Sequence, residues 1–339
     1  MKLLITGGAG FIGSNFVERR LRVHPGDQVV VLDKLTYAGR RESLEDVPAD
    51  RIEFVEGDIC DRKVVMEAID GCDATVNFAA ESHVDRSIER PGEFIETDVF
   101  GTYVLLDAAR ELGIRHLQIS TDEVYGDFAG TGESATELSP LDPSSPYSAS
   151  KAGGDLLVGA FGRTYGSDAL IARASNNYGP RQHPEKLIPL CILNALAGDH
   201  LPVYGDGSQI RNWLYVEDFC AAIDTILDRG ESGEVYNVGG PDELPNLDVV
   251  KRIISLAGGD ESWIDYVEDR PGHDLRYSLS SGRVEELGWK AEVGFEEGIE
   301  MTFDWYRSNP GWWEPIRSGE YREYYLEHYG RDLGGGAAE

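Results

Sequence analysis

The chain is poor in cysteine, poor in positive charge, and has no long apolar run. Its four cysteines, Cys60, Cys72, Cys191 and Cys220, stand far apart with no C-x-x-C spacing. That spacing excludes a disulfide frame and offers no metal site; the four read as free, mostly buried thiols of a reducing compartment. No uninterrupted apolar run approaches the ~18 residues of a membrane helix. The N-terminus lacks the layout of a secretory signal, so a soluble, cytoplasmic protein is expected. There is no internal repeat and no low-complexity block. The scarcest property is positive charge: 31 basic residues face 61 acidic ones, for a formal net charge of −30. Such a surface repels nucleic acid and anionic membranes, so neither is expected as a partner. The acids are spread along the chain and not gathered in a tail. That distribution fits adaptation to high salt, where screening removes self-repulsion.

What is present begins at once. Lys2-Leu3-Leu4-Ile5-Thr6 reads as a short buried strand, followed by Gly7-Gly8-Ala9-Gly10-Phe11-Ile12-Gly13 and a helical stretch from Ser14 to Val23. Gly7 allows a tight turn, Gly10 lets the backbone approach a pyrophosphate, and Gly13 lets helix and strand pack closely. The helix N-terminus then offers unpaired N–H groups to phosphate. A second strand, Val29-Val30-Val31-Leu32, ends in the acid Asp33 twenty residues past Gly13. Strand, glycine turn, helix and acid together are the dinucleotide-binding fingerprint. Asp33 is expected to accept from adenosine ribose hydroxyls, which favours NAD over NADP. Lys34, Arg40 and Arg41 nearby could instead answer a 2′-phosphate, or be surface charge. Asp58 and Ile59 follow a third strand, Ile52-Glu53-Phe54-Val55; Asp58 is either an adenine contact or a turn residue. A fourth strand, from Asp73, runs into Ala79 and Ala80, small residues that let a cofactor come close. His83, just beyond, lies where open α/β sheets bind ligands. Residues 94–112 read as one long helix carrying Thr97 near its start.

Further on, His116-Leu117-Gln118-Ile119 reads as a buried strand ending in Ser120-Thr121-Asp122-Glu123. Tyr147 and Lys151 follow at i, i+4 spacing, on one face of a helix that Pro143 and Pro146 introduce. An ammonium beside a phenol is expected to lower the Tyr pKa toward neutrality, making it a base for a sugar hydroxyl. Downstream of a complete Rossmann half, this spacing is the short-chain dehydrogenase arrangement. Lys186, Arg211 and Arg270 are cations suited to a diphosphate in an acidic chain. Pro202-Val203-Tyr204 could hold a base, with Tyr204 stacked on it.

These motifs, with Ala80-Glu81-Ser82-His83-Val84-Asp85-Arg86-Ser87, Ser175-Asn176-Asn177-Tyr178-Gly179-Pro180 and Pro184-Glu185-Lys186-Leu187-Ile188-Pro189, resemble the extended short-chain dehydrogenase/reductases that act on nucleotide sugars, in particular their 4,6-dehydratases. The similarity runs over nearly the whole chain. Related epimerases lack the two acids after the Thr, and related decarboxylases have the Glu without the Asp. The resemblance implies an NAD enzyme that dehydrates a nucleotide diphosphate-glucose, dTDP-glucose first and UDP-glucose as the alternative, because nothing in the chain separates thymine from uracil. It implies Tyr147, Lys151, Thr121, Asp122 and Glu123 as catalytic residues. It adds Phe11, Ile12, Lys34, Leu35, Thr36, Ser82, Thr97 and Asn177 to the cofactor site. It adds Asn176, Leu187, Asn246 and His273 to the substrate site. Asn212 departs from the family, which usually has Asp after the Arg, and is expected to perturb a local hydrogen bond and not the chemistry.

The expected architecture is α/β: a doubly wound parallel Rossmann sheet with a smaller, interleaved C-terminal substrate-binding domain. Residues 1–172 and a returning segment of about 212–240 form the first part. Residues 173–211 and 241–332 form the second, with 333–339 a frayed tail. Trp213 to Asp218 and Glu234 to Gly239 are both expected to rejoin the main sheet. Gly153, Gly154, Gly159 and Gly162 suggest that the helix after Lys151 packs closely. With the helix of residues 94–112 it would form the four-helix interface of a homodimer.

Overall fold

The structure, a computed structural model, describes residues 1–269 and 273–317. Arg270, the aromatic residues Tyr321, Tyr324 and Tyr325, and the expected tail lie outside the described residues. Six strands come first in the chain: β1 (Lys2–Thr6), β2 (Gln28–Asp33), β3 (Ile52–Glu56), β4 (Ala74–Asn77), β5 (Arg115–Thr121) and β6 (Ala169–Ala174). Then follow β7 (Asn176–Tyr178), β8 (Leu201–Tyr204), β9 (Ile210–Tyr215), β10 (Val235–Val238), β11 (Asp242–Pro245) and β12 (Ile264–Val267).

The main sheet has seven strands in the order β10-β6-β5-β4-β1-β2-β3. Every pairing in it is parallel. Parallel strands need crossovers, and helices cover both faces. Alternation along β1 shows the consequence: Leu3 and Ile5 enter one core with Phe16, Val17, Phe219 and Ile223, while Leu4 enters the other with Val65, Ile69, Val104 and Leu105. Register brings the carboxyl ends level, with Thr6 opposite Asn77 and Thr121 opposite Ala174. The chain order turns outward from β1 in both directions, which opens a crevice at those ends.

Segments on both sides of β10 in the chain build the smaller part. β11, β9 and β7 form a three-stranded sheet, and β12 pairs with β8. Its core gathers Tyr178, Ile192, Trp213, Val249, Ile253, Ile299 and Phe303. This corrects one expectation. β10 joins the main sheet, but Trp213 to Tyr215 do not, because β9 pairs with β7 and β11. It is the helix Val216–Arg229 that rejoins the Rossmann part, where its Phe219 and Ile223 share a core with Phe16.

The stretch 94–112 is also not one regular helix. A helical turn at Pro91–Phe94 leads into a π-helical segment, Ile95–Gly101, and only then into the α-helix Thr102–Leu112. Side-chain periodicity does not report such a widening, which adds one residue per turn without breaking the helix. The four glycines of the helix Pro146–Tyr165 are unequal. A Cβ on Gly154 would come within 2.9 Å of the Asp98 carbonyl and one on Gly153 within 3.0 Å of Val99, so these two do pack closely. Gly159 and Gly162 meet only Arg163 and, at 4.0 Å, the Ser167 carbonyl.

Candidate active site

Two adjoining clefts open at the carboxyl ends of the main sheet. The first, about 320 Å³, runs from the Gly7–Gly13 turn past Asp33, Asp58 and Ala79 to Thr121, Tyr147 and Lys151. Gly7 makes the turn possible: its φ is +66°, and a Cβ there would sit 2.5 Å from the Ala79 nitrogen. Asp33 ends β2 with its carboxylate held in place, accepting from the Ala9 and Leu35 amides at 2.9 and 2.8 Å. Asp58 is a turn residue that also faces the cleft. It lines the cleft, accepts from the Cys60 amide at 2.9 Å, and pairs with Lys34 at 2.6 Å. Arg40 and Arg41 are occupied elsewhere, by Glu42 and Trp312 and by Glu56 and Phe54.

Gly10, Phe11, Ile12, Gly13, Lys34, Thr36, Ile59, Ala80, Ser82, Thr97 and Asn177 all line this cleft. Leu35 does not. Its side chain packs into the core beside β2. Its backbone, at φ 54°, turns its amide onto Asp33. The expected contact is therefore an indirect one, through the acid it orients.

The second cleft, about 530 Å³, is lined by His83, Asn176, Lys186, Leu187, Pro202, Tyr204, Arg211, Asn246 and His273, every described residue expected there except Thr121. Thr121 lies in the first cleft, next to the joint between the two. Glu123, Asn176, Asn177, Glu185 and Lys186 belong to both. Arg211 lies over the Tyr277 ring at 4.2 Å and donates to the Asp274 carbonyl at 3.0 Å. Tyr204 and His273 meet edge to face, with centroids 6.3 Å apart. Buried amide oxygens of Asn176, Asn177 and Asn246 have no hydrogen-bond partner within the protein, as expected of groups facing a polar ligand.

At the joint stand the residues expected to be catalytic. β5 ends at Thr121, and a short 3₁₀ turn carries Asp122 and Glu123. Asp122 is 4% exposed. Burial, then the neighbouring Glu123 charge, push its carboxyl up to about 8, with Arg211 and the Thr121 hydroxyl opposing. Thr121 Oγ1 donates to Asp122 Oδ1 at 3.2 Å and accepts from the Glu123 amide at 3.3 Å. Tyr147 and Lys151 come from the helix Pro146–Tyr165, which starts where the prolines indicated. Ser145 and Ser148 form its capping box and Pro146 occupies the first turn. Lys151 Nζ donates to the Ile119 carbonyl at 2.8 Å, tying helix to strand. One expectation is reversed here. Within the protein, the Tyr147 phenol is held well above its ordinary value by burial, then by Glu123 and Asp98, while the Thr121 hydroxyl works the other way.

Sequence reasoning missed three residues at the joint. Glu185 is buried and accepts from the Tyr37 hydroxyl at 3.0 Å, linking the turn after β2 to the substrate side. Glu81 lines the first cleft and is pushed up to about 7 by burial, then by Asp98 and Glu93. Asp98 lies in the π-helical segment. Glu81 and Glu185 both stood within quoted motifs, as acids beside an expected contact; Asp98 carried no signal.

Comparison with known proteins bears on this geometry. The family model described as GDP-mannose 4,6 dehydratase matches residues 4–302. The dTDP-glucose 4,6-dehydratase of Mycobacterium tuberculosis is 49% identical over 327 residues, covering 96% of this chain and 98% of that protein. This chain belongs to the dTDP-glucose 4,6-dehydratase family of extended short-chain dehydrogenase/reductases. The Low-salt glycan biosynthesis protein Agl12 of Haloferax volcanii is 54% identical over 310 residues, covering 90% of this chain and 98% of that protein. Among solved structures, the dTDP-glucose 4,6-dehydratase DesIV of Streptomyces venezuelae, with NAD bound, is 52% identical and superposes with a TM-score of 0.90 over 93% of this chain and 100% of its own. Asn212, read from the sequence as a departure from the family, makes hydrogen bonds through both atoms of its amide. Its Nδ2 donates to the Gly240 and Asp242 carbonyls at 2.8 and 3.3 Å, and its Oδ1 accepts from the Gly240 amide at 2.8 Å.

Proposed function

We propose that the protein converts dTDP-glucose to dTDP-4-keto-6-deoxy-glucose with NAD as its cofactor. The observation that carries this reading is the Asp122–Glu123 pair on the turn after β5, beside Tyr147 and Lys151. Tyr–Lys geometry suffices to oxidise a sugar carbon. Only an added acid and base account for loss of water. The relatives named as dTDP-glucose 4,6-dehydratases support the thymine base.

The first cleft suits a dinucleotide. Gly7 and Gly10 would admit the pyrophosphate, Asp33 would take the ribose, and the Asn177 amide stands near the nicotinamide end. The chemistry supplied by NAD, when bound, is to accept hydride from C4 of the sugar and return it to C6, so no outside redox partner is consumed. Tyr147 takes the O4 proton, with the Thr121 hydroxyl on the same oxygen. Its phenol needs help against the local carboxylates, and the Lys151 ammonium is the protein's own source of positive charge beside it. Oxidation leaves a C4 ketone, which acidifies the C5–H bond. Glu123, as carboxylate, takes the C5 proton, and a proton returns to C5 as hydride reaches C6. Asp122, protonated at neutral pH, gives its proton to the departing C6 hydroxyl, which leaves as water. Adjacent carboxyls of opposite protonation state suit this division of labour. On the substrate side, Lys186 and Arg211 would hold the diphosphate and Tyr204 the base.

Two further readings belong to the whole enzyme. The outer faces of the helices Val84–Glu89, Thr102–Leu112 and Pro146–Tyr165, with the π-helical segment, expose Ile88, Ile95, Phe100, Tyr103, Leu156 and Tyr165. A second copy covering this face would form a four-helix homodimer. The net charge of −30 fits an enzyme that works in high salt.

The test is incubation with dTDP-glucose and NAD in high salt, followed by alkali. A 4-keto-6-deoxy sugar absorbs after that treatment. UDP-glucose in a parallel arm reads the base preference, and no product from either sugar would overturn the reading.

A further inference from the structure

Asp98 is 1% exposed and sits in the π-helical segment Ile95–Gly101. Both of its carboxylate oxygens are engaged. Oδ1 accepts from the Glu81 amide at 3.1 Å, in the turn that follows β4. Oδ2 accepts from the Ser150 hydroxyl at 2.6 Å. Ser150 lies between Tyr147 and Lys151 on the catalytic helix, and its hydroxyl also reaches the Tyr147 carbonyl at 2.7 Å. The two elements touch as closely as backbones can, because Gly154 leaves no side chain between its helix and the Asp98 carbonyl. The Asp98 carboxylate thus joins three things: the cofactor-facing turn, the helix that presents the base, and the widened segment that aims it.

We propose that Asp98 is a positioning residue, which fixes the catalytic helix against the turn after β4 and presents a negative charge to Tyr147 and Lys151. This rests on the dehydratase reading of the site. A buried carboxylate is costly unless it is hydrogen-bonded, and this one is bonded at both oxygens where its charge acts on Tyr147. The groups facing it are Lys151, Tyr147 and Ser150 from the helix and Glu81 from the turn. Glu81 itself faces Glu93, Arg86 and Glu185. Burial raises the Asp98 carboxyl to about 6, with Lys151, Ser150 and the Glu81 amide opposing. Its charge is also one of the causes that hold the Tyr147 phenol up. Above its own titration Asp98 is anionic and makes Tyr147 a weaker acid; below it, that influence is gone. The widened helix therefore couples an acid-range titration to the readiness of the base.

The test uses the full chain in high salt with two variants, Asp98→Asn and Ser150→Ala. Asp98→Asn keeps an acceptor and removes the charge. Ser150→Ala removes a donor to the charged form, so Asp98 should titrate at higher pH. The first readout is rapid-mixing NADH formation with dTDP-glucose from mildly acid to mildly alkaline pH. The Asp98→Asn profile is expected to lie roughly 1 pH unit lower than that of the unaltered protein. The Ser150→Ala inflection should move upward. The second readout needs no substrate: carbon-13 NMR of the Tyr147 ring, assigned with Tyr147→Phe. The ring signal should carry a step in the mildly acid range that Asp98→Asn abolishes. Superimposable rate profiles and no such step would overturn the proposal, leaving Asp98 as packing. If the unaltered protein forms no NADH with the sugar, the dehydratase reading fails, and the ring signal still decides the role of Asp98. Should Asp98→Asn fail to fold, Ser150→Ala supplies the same decision in both readouts.

Discussion

Asp122 and Glu123 are neighbours in the chain with different surroundings. Asp122 is buried behind the Thr121 hydroxyl, while Glu123 is half-buried at the lip shared by both clefts. Only a carboxyl that keeps its proton at neutral pH can act as the acid for water loss. Two outcomes are expected. Asp122→Asn should still form NADH from dTDP-glucose but release product roughly 100-fold more slowly or worse, read by following nicotinamide absorbance and keto-sugar product together. In the unaltered enzyme the dehydration step should decline as pH rises through about 8, because Asp122 then loses the proton it must donate. Tyr147→Phe should abolish the first step, with no NADH formed in a single turnover. Retained NADH formation would remove Tyr147 from the mechanism.

At the scale of elements, the site depends on how strands and helices are fastened to one another. Asn212 holds β9 to the connection between β10 and β11 by two donated bonds and one accepted. A carboxylate there would face the Gly240 and Asp242 carbonyls with no proton to offer. Asn212→Asp is expected to cost about 1–3 kcal/mol of stability, measured by denaturant unfolding, with little change in turnover per folded molecule. The apolar helical face is tested separately. Leu156→Glu puts a charge on it and should leave a monomer by light scattering in high salt, where the unaltered protein is expected to scatter as a dimer.

At the scale of the whole molecule, two of the scarce cations are held inside by buried acids. Arg20, 1% exposed, is held between Asp27 and Asp224, and the N-terminal ammonium also reaches Asp27 at 2.6 Å. Arg173 pairs with buried Asp155 at 2.8 Å. Spending cations inside leaves the surface acids less balanced, and their mutual repulsion is screened only by salt. Dialysis into low salt should therefore lower the melting temperature, and returning salt should restore it. An unchanged melting temperature would refute the high-salt adaptation.

The sequence by itself determined the parts whose signals are local. A glycine turn needs glycine at its tight bend, a ribose acceptor needs an acid at the end of β2, and a Tyr four residues before a Lys shares its helical face. Asp33, Tyr147 and Lys151 were legible for that reason, as was the parallel sheet, because alternating strands and helices allow few arrangements. Tertiary structure alone decided the rest. Leu35 points into the core because its backbone serves Asp33. β9 stays out of the main sheet because it pairs with β7 and β11 in the small one, a choice that its own residues do not announce. Tyr147 is a weaker acid than its spacing to Lys151 implies, since its ionisation answers to every charge packed around it. The acids proposed for water loss, Asp122 and Glu123, divide along the same line. Their adjacency is written in the chain, and burial alone separates the one that holds its proton.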